Sequence, residues 1–413
     1  MKWRAFAVLV AAALAFAGCG SSPSGGAAVS KITFSTWQSQ EPGYKEFWTA
    51  AKQKFEADHS GVTVDIQQIA FADYQQTITT RLAANQAADV IQLPSRYFPA
   101  FADQKFFASL DSQIAATDIA ANWPAAQNLM KWNGEYEGVL VQNYGYVMYY
   151  NKTMLDAAGI AVPTTWDQFM AAAKTLTKGG VYGVAMDTKQ DPNIVLELSW
   201  PATGQGVPYI KDGKYNVTSS DMVKLAGQVR ELSKYAPAGI SSEQKRQYFV
   251  DGKAALMFDG PFVGALIKKA PEATQQAIKV AAMPFPAAPG ALSSSLHIPA
   301  SLTGKAKDLA WDFIKMVSTP EMQDAFVKNV GTPAPRKGAG ADQMATNPNR
   351  KIVSETTAVA VDVIPSEPKV RLQYATFTDA AGNAVSELLS TDKPVADIMA
   401  SLQSTLESKL PLK

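Results

Sequence analysis

The chain has 413 residues, of which 47% are hydrophobic and 18% charged, a composition typical of a globular protein with room for more than one core. Its formal net charge of +1 gives no indication of a nucleic-acid partner. Cys19, His59 and His297 are the only cysteine and histidines, which nearly excludes a zinc or copper site, and neither a G-x-S-x-G nucleophile motif nor a GxxxxGK(S/T) phosphate loop is present.

The first residues have the layout of a secretory leader. Lys2 and Arg4 precede an apolar run over residues 5–16, which is too short to span a bilayer as a permanent helix. We therefore expect a signal peptide over residues 1–18 that is removed from the mature protein.

Small residues after the apolar run lead to Cys19. This arrangement resembles the bacterial lipoprotein signal, in which the cysteine becomes the lipid-bearing first residue, although Phe16 stands where that signal usually has leucine. The alternative is an ordinary leader that is cleaved elsewhere. Residues 19–30 are rich in Gly and Ser and bury little apolar surface, so we expect a flexible tether and a lipid at Cys19 that anchor the protein to the outer face of the cell membrane.

Strands and helices are predicted to alternate at the start of the folded body. The predicted strands cover residues 31–37, 62–69 and 88–94. Helical spacing of Phe47, Ala51 and Phe55 predicts a helix after the first strand, and a second helix is predicted over residues 73–86. This alternation indicates an α/β layer with parallel strands.

The alternation continues to the end of the chain. Further strands are predicted over residues 138–151, 180–186, 255–262 and 278–286. Thr165 is predicted to cap a helix, and a later helix ends at Ser318 before the next one begins with Thr319 as cap and Pro320 as first residue. A final amphipathic helix is predicted over residues 395–409.

Three segments give the chain a family resemblance. They are YYNKTMLDAAGIAVPTTWDQF over residues 149–169, FVDGKAALMFDGPF over 249–262, and the helix pair over 305–337 that ends in GTPAPRK. In this order and spacing they resemble the extracellular solute-binding proteins of ABC importers, the sugar-binding group that includes maltose-binding protein. The likeness covers essentially all of residues 31–410.

The resemblance implies an α/β, periplasmic-binding-protein-like fold of two lobes, with a hinge and an interlobe cleft. Lobe one is expected over residues 31–139 plus 287–337, and lobe two over residues 140–286 plus 338–413. It also implies a monomer that works with the permease subunits of an ABC transporter, without a cofactor, a metal or catalytic residues.

A sugar presents apolar faces and a rim of hydroxyls, so its site needs flat aromatic rings beside planar polar groups. Because ligands of α/β sheets bind beyond the carboxyl ends of strands, the binding residues are expected there. The candidates at or after the ends of the first and third predicted strands, and on the strand that leads to the first hinge, are Trp37, Gln38, Glu41, Arg96, Tyr97, Asn143 and Tyr144. Each of these residues could instead be a core or surface residue. Successive side chains of a strand point to opposite faces, so only about half of the residues near position 143 can face the cleft.

The remaining candidates follow from the resemblance. Trp200 is similar to an aromatic residue that stacks on sugar in the family, and Phe262 stands where the family usually has tryptophan. The full second set is Trp200, Asp259, Gly260, Phe262, His297, Arg371 and Tyr374. The alternatives are a structural histidine at position 297 and a surface salt bridge for Arg371, which otherwise suits vicinal hydroxyls, a carboxylate or a phosphate.

These features together predict a membrane-anchored receptor that captures a mono- to short oligosaccharide by lobe closure and delivers it to the permease. One alternative is a receptor for a glycerophosphodiester, a polyamine or another polar solute, for which phosphate would favour Arg96 and Arg371. The other is an extracellular glycosidase, for which Glu41 and Asp259 are the carboxylates to consider.

Overall fold

The computed structural model describes residues 29–412, apart from the side chains of residues 125 and 291–293. The predicted signal peptide and Cys19 lie outside the described residues. The strands are β1 (Lys31–Thr36), β2 (Thr63–Gln68), β3 (Val90–Pro94), β4 (Lys131–Trp132), β5 (Glu135–Tyr136), β6 (Val139–Gly145), β7 (Val147–Asn151), β8 (Tyr182–Ala185), β9 (Ile210–Lys211), β10 (Lys214–Tyr215), β11 (Ala254–Asp259), β12 (Ile278–Ala282), β13 (Pro289–His297) and β14 (Val361–Asp362).

Helices surround these strands. They are α1 (Tyr44–Asp58), α2 (Phe71–Ala83), α3 (Phe98–Asp103), α4 (Asp111–Ala115), α5 (Ile119–Asn122), α6 (Lys152–Ala157), α7 (Trp166–Leu176), α8 (Leu196–Gly204), α9 (Ser220–Ser233), α10 (Ser242–Val250), α11 (Val263–Ile267), α12 (Glu272–Ala277), α13 (Gly304–Val317), α14 (Pro320–Val330), α15 (Ala341–Thr346), α16 (Pro348–Ala358), α17 (Pro368–Leu372), α18 (Tyr374–Ser390) and α19 (Val395–Lys409). Short 3-10 helices lie at Ser95–Tyr97 and Ala125–Met130.

The first lobe is built on a six-stranded sheet in the order β14-β13-β3-β1-β2, with β6 also paired to β13. β1 runs parallel to β2 and β3, whereas β13 runs antiparallel to β3 and β6. Phe34 of β1 packs against Trp48 of α1 and Phe313 of α13. The apolar stripe of α1 is buried as its spacing predicts, since Phe47, Ala51 and Phe55 are all inaccessible to solvent.

The second lobe is built on a four-stranded sheet in the order β12-β7-β11-β8. The aromatic run predicted as one strand over residues 138–151 is two strands, β6 in the first sheet and β7 in the second, and the chain changes sheet at Tyr146. It returns to the first sheet between β12 and β13. The first change of sheet therefore comes later than the boundary expected between residues 139 and 140.

The last third of the chain contributes to both lobes. α18 and α19 pack on each other and on α9, which belongs to the second lobe, whereas β14 pairs with β13 in the first sheet. The segment 338–413 is therefore not confined to lobe two as expected. Within residues 29–412 no helix has both the length and the apolar character needed to cross a membrane.

Local capping chemistry explains where several helices begin. Thr165 accepts a hydrogen bond from the backbone N–H of Gln168 and so caps α7, and Thr319 caps α14 in the same way ahead of Pro320. Side-chain caps satisfy backbone donors that the first turn of a helix leaves unpaired. These predicted helix starts are confirmed.

The two lobes touch where α11 meets the start of α1 and the end of α14. A Cβ atom built on Gly43, which has φ +82°, would lie 2.9 Å from Ala265 Cβ and 2.7 Å from the Asn329 carbonyl oxygen. Lys269 forms an ion pair with Glu46 across the same contact, at 3.0 Å. Residue 43 therefore has no room for a side chain while the lobes are together.

Candidate functional site

A cavity of about 670 Å³ lies between the two sheets and draws its walls from both lobes. Its volume falls within the range of ordinary small-molecule sites. The residues predicted from the sequence that line this cavity are Trp37, Gln38, Glu41, Arg96, Tyr144, Trp200, Asp259 and Phe262. The other six predicted residues do not line it, and each is described below.

The first-lobe wall begins at the carboxyl end of β1. Trp37 packs its ring against Tyr74 and Phe71, with ring centroids 5.1 and 5.8 Å apart. Gln38 accepts a hydrogen bond of 2.6 Å from the amide of Gln92 on β3. The carboxyl end of β1 thus places at the cavity wall an aromatic ring and an amide that is fixed by a hydrogen bond.

Arg96 follows β3 in a short 3-10 helix and reaches the cavity among aromatic rings. Its guanidinium carbon lies 5.3 Å from the ring centroids of Phe71 and Tyr97 and 5.9 Å from that of Tyr374. The side chain is only 5% exposed, and its Nε atom is buried without a hydrogen-bond partner. Tyr97 and Tyr374 therefore support Arg96 from behind rather than lining the cavity, which corrects their predicted role.

β6 confirms the alternation rule and corrects one candidate. Gln142, Tyr144 and Tyr146 share the face that lines the cavity, whereas Asn143 points to the other face. The prediction of Asn143 is therefore wrong, because residues 143 and 144 are adjacent on a strand and take opposite sides. Gln142 donates a hydrogen bond to the Tyr44 hydroxyl, which also lies on the cavity wall.

The second-lobe wall contains a buried group of charges around Lys245 of α10. Lys245 Nζ lies 3.3 Å from Asp187 Oδ2, 3.6 Å from Glu197 Oε1 and 3.6 Å from Asp259 Oδ2. We call these four side chains together with Arg246 the ionic cluster. Arg246 holds Asp259 with two hydrogen bonds of 2.9 and 3.3 Å.

Burial and mutual attraction set the charges of the ionic cluster. Burial raises the pKa of Glu197 to about 8, against the attraction of Lys245, and it also raises the pKa of Asp187. Burial acts in the same direction on Asp259, but Arg246 and Lys245 outweigh it and hold the pKa of that carboxyl below its ordinary value. At neutral pH Glu197 therefore keeps its proton.

The positions of Asp259, Gly260 and Phe262 are set by the end of strand β11. Asp259 ends β11, so the strand is shorter than the predicted range 255–262, and α11 begins at Val263. Gly260 contributes backbone only: its N–H donates to Asp259 and its carbonyl accepts from the Tyr149 hydroxyl. Phe262 presents a half-buried ring to the cavity with the Arg246 guanidinium 4.8 Å from its centroid.

Trp200 lies in helix α8, not in the turn that its Gly- and Pro-rich neighbours indicate. Its ring is 1% exposed and packs edge-on against Tyr146 at 5.0 Å, with Lys245 Nζ 5.1 Å from the ring centroid. Trp200 therefore forms the floor of the cavity. Tyr144, Phe262 and Phe71 are half-buried and leave more ring surface open to a ligand.

Glu41 lies on the turn between β1 and α1. Burial raises the pKa of its carboxyl to about 7, Arg246 opposes this, and Asp259 and Glu243 add to it. Its nearest charged neighbours are thus second-lobe residues across the cavity.

His297 is a core residue, which corrects its predicted ligand role. It is fully buried, and its ring stacks on Phe107 at 4.2 Å. Nδ1 lies 2.6 Å from the Glu137 carbonyl oxygen, so Nδ1 carries the proton and Nε2 accepts from Ser295. Burial lowers the pKa of His297 to about 3, and the ring stays neutral.

Arg371 is also engaged away from the cavity. It forms an ion pair of 2.6 Å with Asp362 and donates hydrogen bonds to the carbonyl oxygens of Pro365 and Ile364. The alternative stated for Arg371, a salt bridge, is therefore correct, and its predicted role as a ligand-binding residue is wrong.

Apart from Asp259, the ionic cluster is a part of the site that sequence reasoning missed. One signal was available: Ser242, Lys245 and Phe249 share one face of α10 by their spacing, and that face is buried. A lysine on the buried face of an amphipathic helix requires carboxylate partners. Asp187 and Glu197, which supply them, lie on other elements and carry no such signal.

Three buried polar atoms of cavity-lining residues lack a hydrogen-bond partner in the described part of the chain. They are Arg96 Nε, Asp187 Oδ1 and Trp200 Nε1. An unpaired buried polar atom costs about 1–3 kcal/mol, so these atoms are natural contacts for a bound polar molecule.

Comparisons with known proteins agree with this architecture. The family model described as bacterial extracellular solute-binding protein matches residues 37–324. Among curated relatives, a Brucella abortus protein named as a binding protein is 24% identical over 315 residues, which cover 73% of this chain and 75% of the relative.

Solved structures show the same fold. A Thermotoga lettingae ABC transporter solute-binding protein bound with alpha-D-tagatose has a TM-score of 0.82 and 21% identity, covering 92% of this chain and 99% of that one. The maltose-bound MalE3 of T. maritima also has a TM-score of 0.82, with 20% identity and coverage of 92% and 99%. The predicted two-lobe α/β fold and the predicted family resemblance are confirmed.

Proposed function

Because the chain belongs to the family of bacterial extracellular solute-binding proteins, we propose that it captures a carbohydrate between its lobes and delivers it to the permease of an ABC transporter. The cavity carries this proposal. Half-buried rings of Tyr144, Phe262 and Phe71 suit the apolar faces of a sugar, and the unpaired atoms of Asp187 and Trp200 suit its hydroxyls. The sugar-bound solved structures of the same fold support the same ligand class.

The mechanism rests on lobe closure. A ligand in the cavity touches both sheets only when the lobes are together, so its binding shifts the population toward the closed state by the difference in contact energy. Tyr146 joins the two sheets and is the natural hinge, together with the segment between β12 and β13. The permease then recognises the closed pair of lobes.

We further propose an extracytoplasmic monomer anchored by lipid at Cys19. The family description supports the location, and the leader and tether support the anchor. The lobe ranges expected from the sequence need adjustment at Tyr146 and at β14, whose pairing follows the first sheet.

A binding screen tests the proposal. Purified protein is melted in the presence of mono-, di- and oligosaccharides, and each hit is measured by calorimetry. A true ligand at a hundred times its Kd stabilises the fold by about 2.7 kcal/mol. Phe262→Ala should weaken its binding about tenfold, because one stacked ring contributes about 1 kcal/mol or more.

Tyr248→Ala is the matched control, because Tyr248 packs beside Lys253 outside the cavity. If no saccharide stabilises the protein, the carbohydrate proposal fails. If Phe262→Ala binds as tightly as the wild type, the stacking role of that ring fails while the receptor proposal stands.

A glycosidase would need two carboxylates free to act on one bond. Asp259 is committed to Arg246, Lys245 and the Gly260 N–H, which leaves Glu41 without a free partner at that position. We therefore propose binding without turnover, and release of chromophore from aryl glycosides would contradict it.

A further inference from the structure

We propose that the bound carbohydrate carries an acidic group, a carboxylate or a phosphate, that pairs with Arg96. This inference rests on the proposed function and specifies the ligand class.

Arg96 is a buried cation without a counter-charge. Its side chain is 5% exposed and lines the cavity, and no carboxylate of residues 29–412 forms an ion pair with it. The faces of Phe71, Tyr97 and Tyr374 hold the guanidinium in place. Cation–π contacts of this kind contribute less free energy than the desolvation of a charge costs, so an anion in the cavity would gain a strong and pre-oriented partner.

The neighbours of Arg96 are hydrogen-bond donors. The titratable groups that act on it most strongly are four tyrosines, of which Tyr144 and Tyr146 line the cavity. Burial raises the pKa of both hydroxyls, so they remain protonated at neutral pH. A guanidinium carries five N–H donors and no acceptor, and the phenols beside it can each donate a further hydrogen bond, so this end of the cavity suits the several acceptor oxygens of an acidic group.

The acidic residues of the cavity are engaged elsewhere. Asp187 and Asp259 belong to the ionic cluster, where Lys245 Nζ lies 3.3 and 3.6 Å from their carboxylates and Arg246 forms an ion pair with Asp259. The described part of the cavity therefore offers an anion one uncommitted cation, Arg96.

Three further carboxylates line the cavity, those of Asp191, Glu41 and Glu243. Asp191 accepts hydrogen bonds from the backbone N–H groups of Asn193 and Ser242. Glu41 interacts with Arg246, Asp259 and Glu243, not with Arg96. The anion-binding end and the acidic end of the cavity are therefore distinct.

Matched ligands test the inference. Calorimetry compares D-glucuronate with D-glucose, D-galacturonate with D-galactose, the corresponding uronate and neutral disaccharides, and glucose 6-phosphate with glucose. We expect an acidic member to bind at least tenfold more tightly than its neutral counterpart. Glycerol 3-phosphate is included to separate a phosphorylated sugar from a phosphate group alone.

Variants assign the preference to Arg96. Arg96→Gln should remove at least tenfold of the acid preference, Arg96→Lys should retain part of it, and Tyr144→Phe should reduce it severalfold because one donor is lost. Arg81→Gln is the matched control, since Arg81 lies outside the cavity and donates to Gln67. Circular dichroism and melting temperature confirm that each variant is folded, and Tyr144→Phe provides a reading that does not depend on Arg96→Gln folding.

The outcomes separate this inference from the proposed function. Neutral sugars that bind as tightly as their acidic partners overturn the inference and leave the carbohydrate receptor standing. An acid preference that survives both Arg96→Gln and Tyr144→Phe also overturns it. Binding of glycerol 3-phosphate without any saccharide overturns both, in favour of a receptor for glycerol phosphates.

Discussion

Glu197 is a buried acid that holds a proton in the folded state, and this has a consequence for stability. Its folded pKa of about 8 lies above the ordinary value of 4.5 for a glutamate carboxyl. Between those two values the unfolded carboxyl is charged and the folded one is protonated, so unfolding releases a proton. The free energy of unfolding therefore falls as pH rises through this window, by up to about 1.4 kcal/mol per pH unit.

Glu197→Gln should flatten this pH dependence, because the amide cannot titrate but still accepts from the Asp187 N–H. Urea unfolding at pH 5, 6, 7 and 8 measures the effect, and the variant should gain stability relative to wild type as pH rises. Glu355→Gln, at an exposed position paired with Lys351, serves as control and should keep the wild-type profile. If the free energy of unfolding of Glu197→Gln falls with pH as steeply as that of the wild type, the proton belongs to Asp187, the other buried acid of the ionic cluster.

At the residue scale, the sequence predicted the strand-end positions, among them Asp259, and missed the other members of the ionic cluster. Trp37, Glu41 and Arg96 line the cavity because each follows the end of a strand, a rule that needs only the order of elements. Lys245 and its carboxylates come from four separate elements, so their meeting depends on tertiary packing. His297 was misplaced because the sequence did not predict strand β13 (Pro289–His297), and the burial of its side chain depends on the neighbours that pack against that strand.

At the element scale, helix α7 and strand β8 approach each other more closely than side chains allow. A Cβ atom on Gly183 would lie 1.7 Å from the Ala173 carbonyl oxygen, which is backbone and cannot rotate away. Gly183→Ala should therefore destabilise the second lobe by about 3 kcal/mol or more, or prevent folding. Urea unfolding measures the loss, and yield of soluble protein reports a failure to fold.

Gly227→Ala is the matched substitution, and it is expected to raise the free energy of unfolding where Gly183→Ala lowers it. Gly227 lies inside α9 with nothing within 4 Å of a built Cβ atom, so alanine should add up to about 1 kcal/mol through helix propensity. A destabilisation by Gly227→Ala equal to that by Gly183→Ala would show that the close approach is not the cause.

Most elements were predictable because periodicity and caps are local. α7, α14 and α19 begin where the sequence indicates. The run over 138–151 was misread as one strand because β6 and β7 are both apolar and aromatic, and only pairing partners distinguish two sheets. α8 was missed because Pro201 and Gly204 indicate a turn, although burial of Trp200 and its neighbours overrides local propensity.

At the scale of the whole molecule, the contact between α11 and α1 should control closure. Ala265 is buried against Gly43, so Ala265→Leu inserts bulk between the lobes without entering the cavity. We expect weaker ligand binding, by about tenfold, and a smaller decrease in radius of gyration when ligand is added. Small-angle X-ray scattering and calorimetry measure the two quantities.

Gly264→Ala is the control, because a Cβ atom there meets nothing within 4 Å and lies in the same helix. It should close and bind as the wild type does. If Ala265→Leu compacts on ligand addition as fully as Gly264→Ala, the contact at Gly43 does not limit closure.

Tyr146 serves two purposes at once. It is the residue at which the chain leaves one sheet for the other, and its ring lies on the cavity wall against Trp200. On the proposed function, the same residue therefore contacts the ligand and lies at the hinge between the lobes, so ligand binding and lobe movement are coupled directly. On the proposed function, a change at this position that alters ligand selectivity should also alter the rate at which the lobes open, so the two properties cannot be selected independently there.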